Sequence, residues 1–262
     1  MKKRALQGIA VALGACGLLA VSVSGYVLAD ADALWNIVGE QCVPNQQSSG
    51  QPAPCAEVKP QQGVAVLKDR NGPLQYLLIP TARVSGIESP ALLGDGVPDY
   101  WGEAWQARRF MLARYGKPIP REAVSLAINS QYGRTQNQLH IHISCIDPTV
   151  RQEVDDLKDS LGGSWRPLPV ELKGHGYLAR RVDARDGDQL AEEPFRLLAN
   201  GVPGAGQEMG RYGMALLATT FSDGEPGFVL LATRADPLSL NRASAEELQD
   251  HDCAVLGNPP AR

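Results

Sequence analysis

Gly133-Arg134-Thr135-Gln136-Asn137-Gln138-Leu139-His140-Ile141-His142-Ile143-Ser144 alternates two imidazoles with three aliphatic side chains. Side chains on a β-strand point to opposite faces in turn, so a period of two predicts a strand over residues 139–144. Leu139, Ile141 and Ile143 then enter the core, and Gln138, His140 and His142 share the other face. The polar loop just upstream, residues 131–135, contains Gly133 and offers backbone N–H groups and the Thr135 hydroxyl, the makings of an oxyanion nest. A neutral imidazole is a nucleophile near pH 7, and surrounding donors stabilise charge on phosphorus oxygens. The combination points to phosphoryl or nucleotidyl transfer. The competing structural reading is a pair of half-buried sheet histidines.

Outward from this segment, residues 63–67 and 74–80 are apolar runs around the turn signal Arg70-Asn71-Gly72-Pro73, which predicts a β-hairpin. Residues 98–115 carry Trp101, Trp105, Phe110 and Leu112 at helical spacing, with Pro98 at the start and Gly116 just past the end, and predict one helix. A strand is expected over 124–129 and an amphipathic helix over 147–161. The second half follows the same pattern, with a strand at 177–182, a helix at 193–200, and strands at 213–220 and 227–233 around Ser222-Asp223-Gly224-Glu225-Pro226. Ser244-Ala245-Glu246-Glu247 has the form of a capping box and predicts a final helix. Hairpins with helices inserted singly predict an α+β fold with a mainly antiparallel sheet. Residues 43–60, rich in Pro, Gln and Ser, read as an irregular loop, and no stretch reads as a linker, so residues 31–262 form one body.

Of 262 residues, 44% are hydrophobic and 21% charged, the balance of a globular protein rather than a disordered chain or a coiled coil. The net charge of −4, with three of the positives at Lys2, Lys3 and Arg4, argues against a general nucleic-acid binder. Residues 8–29 carry no charge and span about 33 Å as a helix, which matches a bilayer core of about 30 Å. With the basic triplet in front, residues 1–30 are expected to anchor the chain in the inner membrane, N-terminus cytoplasmic, with residues 31–262 in the periplasm. A cleaved signal peptide ending near Ala29 or Ala31 and a lipoprotein box at Leu13-Gly14-Ala15-Cys16 are the alternatives, and each exports the body. Cys42, Cys55, Cys145 and Cys253 then meet an oxidising compartment, where two disulfides in any of three connectivities are expected.

The histidine segment resembles the histidine triad superfamily, whose motif His-φ-His-φ-His-φ-φ follows a Gly-Gln-Ser/Thr loop. Aligning Gly133-Arg134-Thr135 with that loop puts Gln138 at the first histidine position, His140 at the central one and His142 at the third. A register shifted by two, with His142 central and Ser144 third, displaces the Gly-x-Thr loop. Over nearly the whole chain, ordered segments are similar to bacterial CDP-diacylglycerol pyrophosphatases. They include Pro54-Cys55-Ala56-Glu57-Val58-Lys59-Pro60, Asn71-Gly72-Pro73-Leu74-Gln75-Tyr76-Leu77-Leu78-Ile79-Pro80-Thr81 and Leu240-Asn241-Arg242-Ala243-Ser244-Ala245-Glu246-Glu247. The resemblance implies a histidine triad-like fold that hydrolyses CDP-diacylglycerol to CMP and phosphatidate through a nucleotidyl-histidine intermediate. It also implies no metal and no cofactor. His140 would be the nucleophile and His142 its catalytic partner; Gly133, Arg134, Thr135 and Gln138 would hold phosphate oxygens, with Asn129 and Arg83 as secondary substrate contacts. Gln138 and Arg134 stand where the family motif has His and Gln. An inner-membrane anchor suits the lipid nucleotide.

Two other classes of function remain open at this level. An exported zinc-dependent phosphoesterase would use His140 and His142 as a ligand pair, with a third ligand from His175, His251 or a carboxylate. A non-enzymatic, anchored envelope-binding domain would need neither histidine. His175 is expected to pack or stay exposed in its turn-like setting, His251 to interact with the dipole of the final helix, and Arg180-Arg181 to be a solvated pair.

Overall fold

Residues 30–185 and 188–257 are described by the structure, a computed structural model. The anchor expected over residues 1–30 lies outside the described residues apart from Asp30, and no helix among the described residues is long and apolar enough to cross a membrane. The chain enters through α1 (Ala33–Ile37), a π-helical turn (Val38–Cys42) and α2 (Val43–Ser49). Then come β1 (Glu57–Lys59), β2 (Val64–Lys68), β3 (Tyr76–Pro80), α3 (Tyr100–Ala107), α4 (Arg109–Tyr115), β4 (Val124–Ile128), β5 (Ile141–Ile146) and α5 (Pro148–Leu157). The second half contributes β6 (Arg166–Pro167), β7 (Leu178–Arg185), β8 (Gln189–Leu190), α6 (Pro194–Gly201), β9 (Tyr212–Thr220), β10 (Pro226–Arg234) and β11 (Gln249–Asp250).

The strands form one sheet in the order β1-β2-β3-β5-β4-β9-β10-β7-β6, with β11 added to β5 and β8 to β7. Neighbours are antiparallel throughout, in keeping with the expected α+β class. The order β2-β3-β5-β4 is matched by β6-β7-β10-β9, and the halves join where Leu126 of β4 pairs with Leu216 of β9. Each half carries a helix, α3 or α6, over the same face. Trp101 and Trp105 of α3 meet Phe195 and Phe228 there, with ring centroids 5.6 and 5.2 Å apart, in the main core.

The other face of the sheet is covered in two separate places. Val38 and Cys42 of the N-terminal helical segment pack on Ala65, Leu67, Leu77 and Ile79 of β2 and β3. Val150 and Val154 of α5 pack on Ala127, Ala215, Leu217, Val229 and Leu231 of the central strands and β10. Asp147 fixes the start of α5 by accepting from the N–H groups of Thr149 and Val150 at 2.9 and 3.2 Å, ahead of Pro148 in the first turn. Between the two patches lies the histidine end of β5.

Several expectations are corrected. The stretch expected to be an irregular loop over residues 43–60 begins as helix α2, because Pro44 is tolerated in a first turn and Gly50 stops the helix in the left-handed region at φ 69°. The single helix over 98–115 breaks at Arg108, whose N–H bonds the Trp105 carbonyl and whose guanidinium lies over the Trp105 ring and 3.1 Å from Asp188. The helix expected over 147–161 ends at Leu157 and continues as one 3₁₀ turn, Lys158–Ser160. The final helix is a 3₁₀ turn, Ala245–Leu248, with no side-chain cap from Ser244. Pairing of Gln249 with Ile146 and of Asp250 with Cys145 draws the chain onto the edge of β5 instead. The disulfides are Cys42–Cys55 and Cys145–Cys253.

Candidate active site

β5 begins at Ile141, so His140 sits in the extended approach to the strand rather than within it. The alternation survives: Leu139, Ile141 and Ile143 are in the main core, and the His140 and His142 rings stand together on the other face, centroids 4.8 Å apart. Both imidazoles are almost fully buried, at 8% and 5% exposure. They line a cavity of about 440 Å³ with Lys68, Asp69, Arg70, Asn129, Thr135 and Glu246, a size suited to a small-molecule site.

The proton positions follow from the partners. His140 Nδ1 is 2.7 Å from the Gln138 carbonyl, which can only accept, so Nδ1 carries the proton and Nε2 keeps its lone pair. Burial, and then the neighbouring His142, push the His140 pKa down to about 4, so the ring is neutral at pH 7. His142 Nδ1 lies 3.2 Å from Gln75 Nε2. That amide nitrogen also donates to Asp69 Oδ2 at 2.8 Å, which fixes the Gln75 orientation and makes His142 Nδ1 an acceptor. The His142 proton is therefore on Nε2, 3.3 Å from Glu246 Oε2 but without a hydrogen-bond partner among the described residues. Burial also lowers the His142 pKa, against the pull of Glu246 and Asp69.

Glu246 is clamped from three sides. Asn129 donates its amide to Oε2 at 3.1 Å and accepts from the Glu246 N–H at 3.1 Å, while His251 Nε2 sits 3.3 Å from Oε1. Burial works to raise the Glu246 pKa, but His142, His251 and Asn129 outweigh it and hold the carboxyl well below the usual range. His251, whose expected role was at a helix C-terminus, has no helix to cap. Its pKa is raised by the Glu246 hydrogen bond. Gly72, at φ 64°, lets the β2–β3 turn press against this residue, since a Cβ there would come 2.4 Å from the His251 carbonyl oxygen.

The sequence-derived candidates divide. His140, His142, Asn129, Gly133 and Thr135 line the cavity together. Arg134 instead forms a two-pronged ion pair with Glu88, at 2.6 and 2.7 Å. Gln138 is fully buried and spends its amide on the Pro80 and Ala82 carbonyls and the Val84 N–H. Arg83 pairs with Asp32 at 2.6 Å, over the Trp35 ring. The Gly133 N–H is held by Ser130, which leaves Thr135 as the exposed polar side chain of that loop at the cavity. Gln75, Asp69 and Glu246 were not anticipated by name as site residues, and His251 only as a third ligand in the zinc alternative. Nothing in a lone Gln inside an apolar strand marks it, although Asp69 and Gln75 do flank the hairpin turn. His175 bonds Glu247 at 2.8 Å, in the packing role expected. For a zinc centre, no group of three or more His, Cys, Asp or Glu side chains among the described residues is arranged to hold a metal ion.

A buried imidazole with a free Nε2 lone pair, a second imidazole beside it, and Lys68 and Arg70 in the same lining suit a phosphate ester or anhydride. The family model of CDP-diacylglycerol pyrophosphatase matches residues 29–257, which takes in every residue of the cavity. A match over most of the chain, centred on chemistry suited to that substrate, means that this chain belongs to the CDP-diacylglycerol pyrophosphatase family and hydrolyses CDP-diacylglycerol.

Proposed function

We propose that the hydrolysis runs by covalent catalysis, with His140 Nε2 attacking the cytidine-side phosphorus. The P–N bond forms as the P–O bond to phosphatidate breaks, and the electron pair leaves with the phosphatidate oxygen. Water then attacks the same phosphorus and loses a proton to solvent, the P–N bond breaks with its electron pair returning to His140 Nε2, and CMP departs. Splitting one hydrolysis into two displacements is what a neutral, buried imidazole can do. The observation that carries this is the 2.7 Å bond from His140 Nδ1 to the Gln138 carbonyl, which aims the opposite nitrogen into the cavity. His142 Nε2–H, unpartnered among the described residues, donates to a phosphate oxygen, and the Thr135 hydroxyl and the Lys68 and Arg70 charges hold the others.

Gln138 acts at one remove, by binding the 80–84 segment behind His140. His140→Gly should remove turnover, and added imidazole should restore part of it. Undiminished turnover by His140→Gly would assign the nucleophile elsewhere. We also infer a periplasmic body on a single-pass anchor. The uncharged run 8–29 behind Lys2-Lys3-Arg4 and the two disulfides support this. Protease added to spheroplasts should digest the body, whereas survival of the body alongside digestion of a periplasmic marker would place it in the cytoplasm.

A further inference from the structure

The cavity is chemically divided. Its lining includes the polar His140, His142, Asp69, Asn129, Thr135 and Glu246 and the apolar Leu34, Ile37, Leu67 and Leu77. The strand register makes the division a straight line across the sheet, because Ala127 pairs with His142, His142 with Leu77, and Leu77 with Leu67. With neighbouring strands about 4.8 Å apart, Leu67 stands roughly 10 Å from His142 on the same face. Leu34 and Ile37 of α1 pack on this row and remain half-exposed where they border the cavity.

The four side chains of the wall offer no hydrogen bonds, and the backbone and amide groups beside α1 are already paired. The Leu34 N–H donates to Gln136 Oε1 at 3.0 Å, Gln136 Nε2 donates to the Asp30 carbonyl at 2.9 Å, and the Asn137 N–H donates to the Ala31 carbonyl at 2.6 Å. A cytosine ring, with its amine, ring nitrogen and carbonyl, gains nothing there and loses its water. A glycerol ester with alkyl chains suits such a surface, at about 0.8 kcal/mol per buried methylene. Chain connectivity agrees: α1 starts at Ala33, and the uncharged run ends at Ala29. At no more than about 3.6 Å per residue, the wall lies within roughly 15 Å of the end of that run.

We propose that the Leu34–Ile37–Leu67–Leu77 wall receives the diacylglycerol end of the substrate, so that the cytidine end lies on the Asn129 side of His142, toward β4. The cavity of about 440 Å³ takes the head group, the glycerol and the first methylenes, and the rest of both acyl chains stays outside. This rests on the pocket of His140 and His142 being where the reaction occurs. It sets the orientation in which the diphosphate crosses the two histidines, and it makes α1 a determinant of lipid selectivity.

The test compares kcat/KM of the full chain for dihexanoyl CDP-diacylglycerol, below its micelle concentration, with that for CDP-glycerol. The wild type should favour the dihexanoyl ester. Leu34→Gln and Ile37→Asn should each lower the preference about tenfold, the value of roughly two buried methylenes. An unchanged ratio in both variants would overturn the proposal. A second measurement needs no variant: dihexanoyl CDP-diacylglycerol with a diazirine on one acyl chain should label wild-type peptides covering residues 33–37 or 64–79. Labelling confined to other segments would also overturn it. Should His140→Ala turn over both substrates like the wild type, the pocket assignment is what fails; should that variant be inactive while the ratio stays fixed, only the lipid wall fails.

Discussion

His140, the nucleophile of the proposed reaction, carries a cost in acid. In the unfolded chain its pKa is the ordinary 6.5, and in the folded protein burial and His142 push it down to about 4. The folded state thus binds fewer protons than the unfolded state between those values, and stability rises with pH through that window. This contribution is complete above about pH 6.5 and is lost as pH falls toward 4, on the order of 3 kcal/mol for a shift of this size. His140→Asn, which cannot titrate, should flatten the difference in Tm between pH 7 and pH 4.5 relative to wild type. An identical pH dependence in the two proteins would show that His140 is not held neutral by burial. Several neighbouring residues set the positions of the two rings. Gln75 fixes the tautomer of His142, and Glu246 is fixed in turn by Asn129 and His251.

At the scale of the elements, the site depends on a covalent tie. Cys145 at the end of β5 bonds Cys253, 108 residues later, and this holds the C-terminal turn with Glu246 and His251 against the histidine strand. Closing so long a loop restricts the unfolded chain by about 4.7 kcal/mol in the chain-entropy account, against about 3 kcal/mol for a loop like that of Cys42–Cys55. Replacing Cys145 and Cys253 by Ser should therefore lower the urea-unfolding free energy more than replacing Cys42 and Cys55, and should lower kcat as well. The reverse ranking would contradict this. The same elements explain what was legible in the sequence. The hairpin around Arg70-Asn71-Gly72-Pro73 and the alternation through Ile143 are local patterns, and both appear as expected. The 3₁₀ turn at Ala245–Leu248 does not, because a capping-box sequence is overridden when tertiary pairing recruits Gln249 and Asp250 to β5. For the same reason His140 and His142 could be read from their spacing, whereas Gln75, Glu246 and His251 are joined to them only by the fold. Arg134 and Gln138 look like phosphate ligands in sequence and are claimed in the fold by Glu88 and by the 80–84 segment.

At the scale of the whole molecule, two halves of like topology share one sheet, and one of them carries the candidate site. A two-fold rotation about the Leu126–Leu216 pair brings His142 onto Val229 and His140 near Gly227, on the face that α5 covers. One half keeps that face open over two histidines, and the other fills it with Val150, Val154, Leu217 and Leu231. The seam makes the halves interdependent: Leu216 is 1% exposed, and Leu216→Ala should cost about 2–5 kcal/mol while the melt stays a single calorimetric transition. Two separate transitions would mean that the halves fold independently. The central claim, that His140 captures the cytidine-side phosphorus before water does, is most directly tested by stereochemistry at that atom. CDP-diacylglycerol with a chiral phosphorothioate on the cytidine side should be hydrolysed in ¹⁸O-labelled water to thio-CMP that carries the label with retained configuration, the outcome of two displacements. Inverted configuration, or label recovered in phosphatidate, would contradict the covalent His140 pathway.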